Sequence, residues 1–218
     1  MTFELFRLGK MSEGRIKILK DMFKYMEKYK SFMHGHYVLD YPWVIEKLPK
    51  NLKGKKILDL GAGFGSLQFY LYEKGADVLS VDMIDYRKQV KPIKFKQIYF
   101  GDVRKLIPLK DNTFDYIVSV SSLEHNLPQL YSNSLFNCKS LLKKKGKLIL
   151  TLPFDEKPKV MTNMLIMGLS EPKNIEKMIG LKLDTDFDNS KEFDEIKKEW
   201  DKKNPLGFIP GGIVFRKI

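Results

Sequence analysis

The sequence predicts an α/β fold in three layers, a mostly parallel sheet with helices on both faces. Two observations carry this. Between Lys55 and Phe154, short β-branched and aliphatic runs recur at 56–60, 77–81, 95–100, 114–120 and 147–152, with helical or loop segments between them. Strands that alternate with helices pair in parallel, because each crossover returns the chain to the same end of the sheet. The first run, Lys56-Ile57-Leu58-Asp59-Leu60, passes straight into Gly61-Ala62-Gly63-Phe64-Gly65, and acidic residues, Asp82 and Asp102, stand where the next two strands end.

In chain order, residues 10–33 place Ile16, Leu19, Met22, Phe23 and Met26 at helical spacing with lysines between them, the pattern of an amphipathic helix. Residues 34–53 open with an aromatic-rich turn. Pro42 suits the start of a short helix through Leu48, since a first helical position needs no N–H. Pro49 and Gly54 punctuate the approach to the first strand of the alternating region. Gly75-Ala76 ends the helix that starts near Gly65, and Lys145-Gly146-Lys147 turns the chain into the fifth strand. After Pro153 the rhythm loosens. Glu171-Pro172 starts a helix that ends near Gly180, and Leu181 to Phe187 reads as a strand. Phe193, Ile196 and Trp200 share one helical face. Pro205, Gly207, Pro210 and Gly211-Gly212 frame a last strand from Ile213 to Ile218. The apolar stretch from Met161 to Leu169 reads as a helix on the core, the lining of an apolar pocket, or a homodimer surface.

Composition narrows the function classes. A chain of 218 residues buries a core without staples, and its single cysteine, Cys138, leaves no intramolecular disulfide and no cysteine-based zinc cluster. That usage suits a reducing, cytoplasmic location. No basic segment followed by an apolar run opens the chain, so no signal peptide is expected. No apolar run nears the ~20 residues of a membrane span. The net charge of +12 raises nucleic acid as a partner, yet only five of the 39 basic residues are arginine. Arginine is the residue that forks onto phosphate and guanine. The lysine excess reads as spread over the whole chain, which makes nucleic acid the less favoured partner.

The glycine run has a physical purpose. A chain that leaves a buried strand and reverses into a helix needs positive φ or no β-carbon, and must let a ligand lie against bare backbone. The helix start beyond it offers N–H groups that the helix does not bond. Together with the acidic strand ends, this pattern points to a site for an adenosine-bearing cofactor. A dinucleotide fingerprint wants glycine at the sixth position. Counting from Gly61, that position is Ser66, and Asp59 would set negative charge near a pyrophosphate. A ligand carrying positive charge fits better, with a nicotinamide cofactor as runner-up.

Ile57 to Gly65 resembles the first motif of the class I S-adenosylmethionine-dependent methyltransferases. Asp82 stands where that family keeps an acid at the end of its second strand, and Gly101-Asp102-Val103 resembles its adenine-binding segment. Phe114 to Val118, followed by Ser121-Ser122-Leu123-Glu124-His125, resembles its fourth strand and loop. Leu141 to Leu148 resembles the approach to its fifth strand, so the likeness covers residues 54–154.

The resemblance implies a Rossmann-like αβα fold with a seven-stranded, mostly parallel sheet and an antiparallel last strand. It implies a single domain over 1–218, with an N-terminal helical cap (1–53), a cofactor-binding core (54–154) and a substrate-side part (155–218). It further implies methyl transfer from S-adenosylmethionine to a small-molecule acceptor, at oxygen or nitrogen. Asp59 and the backbone of Gly61, Ala62 and Gly63 would hold the amino-acid end of the cofactor. Asp82 would accept from the ribose hydroxyls. Asp102 would accept from the exocyclic amine, with Met83 and Val103 flanking the adenine. Ser119 is expected among the cofactor contacts.

An oxygen or ammonium acceptor must lose a proton, which calls for a base. Ser119, Ser121, Glu124 and His125 lie after the fourth strand, at the end of the sheet where open α/β folds bind ligands. His125 is the candidate base because its ordinary pKa lies near neutrality; its other reading is a pocket wall. Glu124 reads as a solvated acid. No metal is expected, since Asp184, Asp186 and Asp188 alternate as on a surface strand and no compact trio with ligand spacing occurs. The tetrad Asn-Pro-Pro-Tyr, carried by resembling amino-methylating enzymes of nucleic acids, is replaced by Val120-Ser121-Ser122-Leu123. Tyr37, Tyr41 and Trp43 stand close enough to the first motif to form a lid. Tyr37 and Tyr41, with His125, are therefore the candidate substrate contacts. An RNA methyltransferase and a non-catalytic S-adenosylmethionine-binding module are the alternatives.

Overall fold

A strand's backbone donors and acceptors must be met by neighbouring strands once it is buried, and the apolar runs meet this demand by pairing side by side. In the computed structural model, which describes residues 3–7, 9, 11–33, 35, 37–84, 98–100, 109–126, 128–161, 164–184, 190–203 and 207–218, β2 (Lys56–Leu60) lies at the centre. It runs parallel to β3 (Asp77–Asp82) on one side and β5 (Phe114–Val120) on the other. β4 (Ile98–Phe100) extends the sheet beyond β3, and β6 (Leu142–Asp155) extends it beyond β5. β10 (Ile209–Arg216) joins β6 antiparallel, and β1 (Phe3–Leu5) joins β10 antiparallel.

The continuous order is β1-β10-β6-β5-β2-β3-β4. The mostly parallel sheet and its antiparallel last strand are as expected. That continuous order holds seven strands, and with β7 (Lys159–Met161), β8 (Met164–Gly168) and β9 (Lys182–Leu183) pairing beside it there are ten among the described residues. Strands of two to five residues hold too few alternating positions to be read from pattern. The stretch from Met161 to Leu169, for which a helix on the core is one of three readings, is thus largely β: β7 and β8 pair antiparallel, and β8 docks on the end of β6.

Among the described residues six α-helices cover the two faces: α1 (Glu13–Tyr29), α2 (Tyr37–Lys47), α3 (Leu67–Glu73), α4 (Pro128–Leu141), α5 (Glu171–Ile179) and α6 (Ser190–Lys203). Successive residues of a strand point to opposite faces. Ile57 accordingly joins a core with Met22, Trp43 and Leu71, while Leu58 joins one with Leu135, Ile175 and Ile196. Ser12 caps α1 by accepting from Arg15 N at 3.3 Å. α2 begins five residues before Pro42, which sits inside it. The lost hydrogen bond is offset by burial of Tyr41, Pro42, Trp43 and Val44 along the helix.

The last strand also starts earlier than its glycines suggest. Gly211 and Gly212 lie inside β10, and a Cβ on Gly212 would come 2.4 Å from the Trp43 ring. The glycine is a socket for the indole, not a turn. Fully buried, Trp43 is core and not a lid.

One feature of the strand order positions the site. The chain leaves β2 for β3 and β4, then crosses back to β5, so the order reverses between β2 and β5. Loops diverge there, and a crevice opens beyond the carboxyl ends of the two strands.

Candidate cofactor site

Gly61 leaves β2 at φ +67, a left-handed conformation that favours glycine. A Cβ on Gly61 would lie 1.7 Å from Ser122 Oγ, so the loop after β5 fills the space a side chain would take. Gly61 and Ala62 donate their N–H groups to Val81 O at 2.8 and 3.2 Å, and Gly63 donates to Asp82 Oδ2 at 2.8 Å. Asp82 Oδ1 accepts from Ile84 N at 2.8 Å. Buried Gln68 donates Nε2 to the carbonyls of Gly63 and Gly65, at 3.2 and 3.1 Å. The glycine loop is therefore folded upon itself. The N–H groups of Gly61, Ala62, Gly63 and Gly65 are engaged within the protein, as are the carbonyls of Ala62, Gly63, Phe64 and Gly65.

A cavity of about 390 Å³ lies against this loop. Asp59, Gly61, Ala62, Gly63 and Val120 line it, and Lys30, Ser31 and Phe32 form a further wall. That wall is held by backbone bonds: Phe32 N donates to Phe64 O at 3.0 Å, and Ser66 N donates to Phe32 O at 3.1 Å. Tyr37 and Tyr41 complete the lining, their rings stacked 5.1 Å apart at 13°. The Tyr41 hydroxyl sits where a Cβ on Gly65 would be, 2.4 Å from that position. The sequence places both tyrosines at the site, and the fold brings them to the wall.

The electrostatics are acidic. Asp59 is 3% exposed, and burial, with the neighbouring Asp82 carboxylate adding, pushes its carboxyl up to about 7. Lys30 is the one cation among the described lining residues. Next to Asp82 in the chain, Met83 is 49% exposed. Asp102 and Val103 lie outside the described residues.

Two expectations are corrected on the β5 side. Ser119 is buried and donates its hydroxyl to Leu60 O at 3.1 Å, tying β5 to β2. Its strand neighbour Val120 lines the cavity instead, since alternate residues face opposite ways. Glu124 is not solvated: it is 2% exposed, in the 3-10 turn Leu123–His125, and burial, reinforced by Asp40, pushes its carboxyl up to about 8. His125, the last residue of that turn, is exposed.

Asp40 was missed from sequence. It is fully buried on α2, its carboxyl pushed well up by burial, and accepts from Ser121 Oγ at 3.4 Å. The signal was there: an acid inside the apolar run from Tyr37 to Val44. Lys30, Ser31 and Phe32 carried no such signal, because main-chain bonds place them.

Known proteins bear on this arrangement. Residues 58–150 match the family profile described as a methyltransferase domain. An uncharacterized protein of Methanocaldococcus jannaschii is 34% identical over 112 residues, covering 50% of this chain and 46% of that protein. The ubiquinone biosynthesis O-methyltransferase of Acinetobacter baumannii is 28% identical over 114 residues, 47% of this chain and 46% of the enzyme. The chain thus spans about half the length of the curated relatives it matches. The crystal structure of Burkholderia thailandensis 1,6-didemethyltoxoflavin-N1-methyltransferase superposes with a TM-score of 0.62 at 16% identity, covering 98% of this chain and 94% of that one, a likeness of fold. With the glycine loop, the acid at the end of β3 and the crevice at the strand reversal all in place over the matched span, residues 58–150 are similar to a methyltransferase domain in both sequence and fold.

Proposed function

We propose that this protein binds S-adenosylmethionine in the cavity beside Gly61 and methylates a small molecule at oxygen or nitrogen. The observation that carries this reading is the buried Asp59 carboxyl lining a crevice of small-molecule size, with the Asp82 carboxylate near enough to raise it further. Two carboxyl groups suit a cation and oppose a pyrophosphate. When bound, the cofactor supplies a methyl group activated on a cationic sulfur. The protein's part is to bind, align and exclude water, which accounts for a large share of the acceleration in such displacements. Asp59 faces the cationic end. Asp82 keeps lone pairs for ribose hydroxyls while its oxygens pin Gly63 and Ile84. Tyr37 and Tyr41 supply aromatic surface over the cavity, and His125, exposed beside the end of β5, takes the proton an acceptor loses.

The acceptor class draws support from two similar proteins. One is named for an O-methylation in ubiquinone biosynthesis; the other was crystallised with 1,6-didemethyltoxoflavin and S-adenosylhomocysteine.

Calorimetric titration with S-adenosylmethionine, S-adenosylhomocysteine and NADH tests the binding half. Binding of the first two and not the third is expected; NADH occupancy alone would sink the assignment. Asp82→Ala is expected to weaken cofactor binding by about 1.5–3 kcal/mol, the loss of a charged hydrogen bond, and an unchanged affinity would remove Asp82 from the site. The catalytic half is tested with methyl-labelled cofactor over a panel of phenols and amines. His125→Ala should cut turnover about 100-fold or more while sparing cofactor affinity. Equal losses in both would make His125 a wall.

A further inference from the structure

We propose that the face at the amino ends of the parallel strands, remote from the cavity, is a docking surface for an anionic phospholipid bilayer. Read from sequence alone, lysine is spread along the chain; the fold gathers much of it at one end of the sheet. Lys55 and Lys56 lead into β2, and Lys143, Lys144, Lys145 and Lys147 begin β6. β10 runs the other way, so Arg216 and Lys217 finish at the same end, where Arg216 is paired with Lys182 of β9.

Contacts knit these segments into one surface. Asp115 Oδ2 accepts from Lys56 N and Asp115 Oδ1 from Lys143 Nζ, each at 2.9 Å. Lys145 N donates to Lys217 O at 2.8 Å, and Lys217 Nζ donates to the carbonyls of Lys139 and Leu142, both at 2.8 Å. Asp184 accepts from Lys147 and Arg216 together. The carboxylates of Asp115 and Asp184 are thus already engaged, and Asp77 and Asp111 offset two further charges. Among the described residues, no carboxylate lies within ion-pair distance of Lys53, Lys56, Lys110, Lys144 or Lys145, all of them exposed.

Why a bilayer and not nucleic acid? The segments 53–56, 110–113 and 143–147 contain no aromatic residue, and the ring nearest in register, Tyr116 opposite Lys147, is half-buried. Single-stranded nucleic acid is held by stacking on aromatic rings, and base edges are read by arginine forks. None of these lysines lines the cavities of the molecule described here. What remains is a shallow array of hydrated point charges, the kind that adsorbs to a plane of anionic headgroups at about 1 kcal/mol per lysine. Docked this way, the protein keeps its cavity, at the carboxyl ends of the strands, open to water on the far side.

The test is co-sedimentation of the full chain with vesicles of phosphatidylglycerol in phosphatidylcholine, against pure phosphatidylcholine vesicles, at low and high salt. Binding to the anionic vesicles alone, lost at high salt, is expected. Lys53→Gln with Lys56→Gln and Lys144→Gln should lower the partition coefficient roughly 100-fold, about fivefold per lysine. Lys145 is left unchanged because of its φ of +65. Lys157→Gln with Lys198→Gln and Lys202→Gln removes the same charge elsewhere and should bind as the parent does. Equal loss in the two triple variants would reduce the effect to net charge and overturn the proposal. So would indifference to phosphatidylglycerol, or capture by a homopolymer RNA in preference to the anionic vesicles.

Discussion

Asp59→Asn is expected to make the protein more stable near pH 8 and less able to bind its cofactor. In the folded chain the Asp59 carboxyl holds its proton up to about 7, against an ordinary value of 3.8. Between those values the native state binds a proton that the unfolded chain has released, so this group's contribution to stability falls as pH rises through the window. Above it, the charged, buried carboxylate costs up to about 4 kcal/mol, since each pH unit by which burial raises the carboxyl is worth about 1.36 kcal/mol. An amide does not titrate. Its own burial costs something, so a net gain of about 2–4 kcal/mol near pH 8 is expected, shrinking toward zero near pH 4. Thermal melts across that range check it. An asparagine variant less stable than the parent near pH 8 would contradict the cost assigned to Asp59.

The same carboxyl makes binding pH-dependent. A cationic ligand favours the ionised form, so affinity should rise about tenfold per pH unit up to 7 and level off beyond, with a proton released on binding below that point. The Asp59→Asn variant should show weak affinity and a flat profile. Stability and function are opposed at this one atom group, as expected of a site that holds a buried charge ready for a ligand.

Gly61→Ala should be the most damaging single methyl in the molecule. Two costs add: about 1–2 kcal/mol for an L-residue in the left-handed region at φ +67, and about 1–3 kcal/mol for forcing a Cβ into Ser122. Ser122→Gly in the same chain removes the Oγ and Cβ at 1.7 and 2.4 Å and leaves the nearest Ser122 atom, Cα, at 3.8 Å, an ordinary contact. The double variant should therefore regain the overlap part and keep the conformational part. Denaturant unfolding of parent, singles and double closes the cycle. Full recovery would mean that φ costs nothing here; no recovery would mean that the two loops do not meet.

Much of the site was legible because its chemistry is local. The run from Ile57 to Gly65 is a strand followed by a reversal, and both needs are written in neighbouring residues: β-sheet formers, then glycines. Asp82 was legible as an acid at a strand end. Glu124 and Ser119 were misread for one reason. Burial is set by what packs over a residue from elsewhere in the chain. β6, β8 and α4 pack around the turn that holds Glu124, and β2 claims the Ser119 hydroxyl. Gly211 and Gly212 were read as a turn because glycine signals a turn when its surroundings are unknown; the Trp43 ring that needs the missing Cβ comes from α2, far away in sequence.

The sequence by itself determined the alternation of strand and helix, the glycine reversal after β2 and the acid at the end of β3. These follow from propensity and steric limits that act over a few residues. Only the tertiary structure decided which carboxyls are dry, which wall faces the cavity and where the lysines collect. Desolvation and charge density depend on neighbours brought together by pairing across the sheet, and those neighbours stand tens of residues apart in the chain.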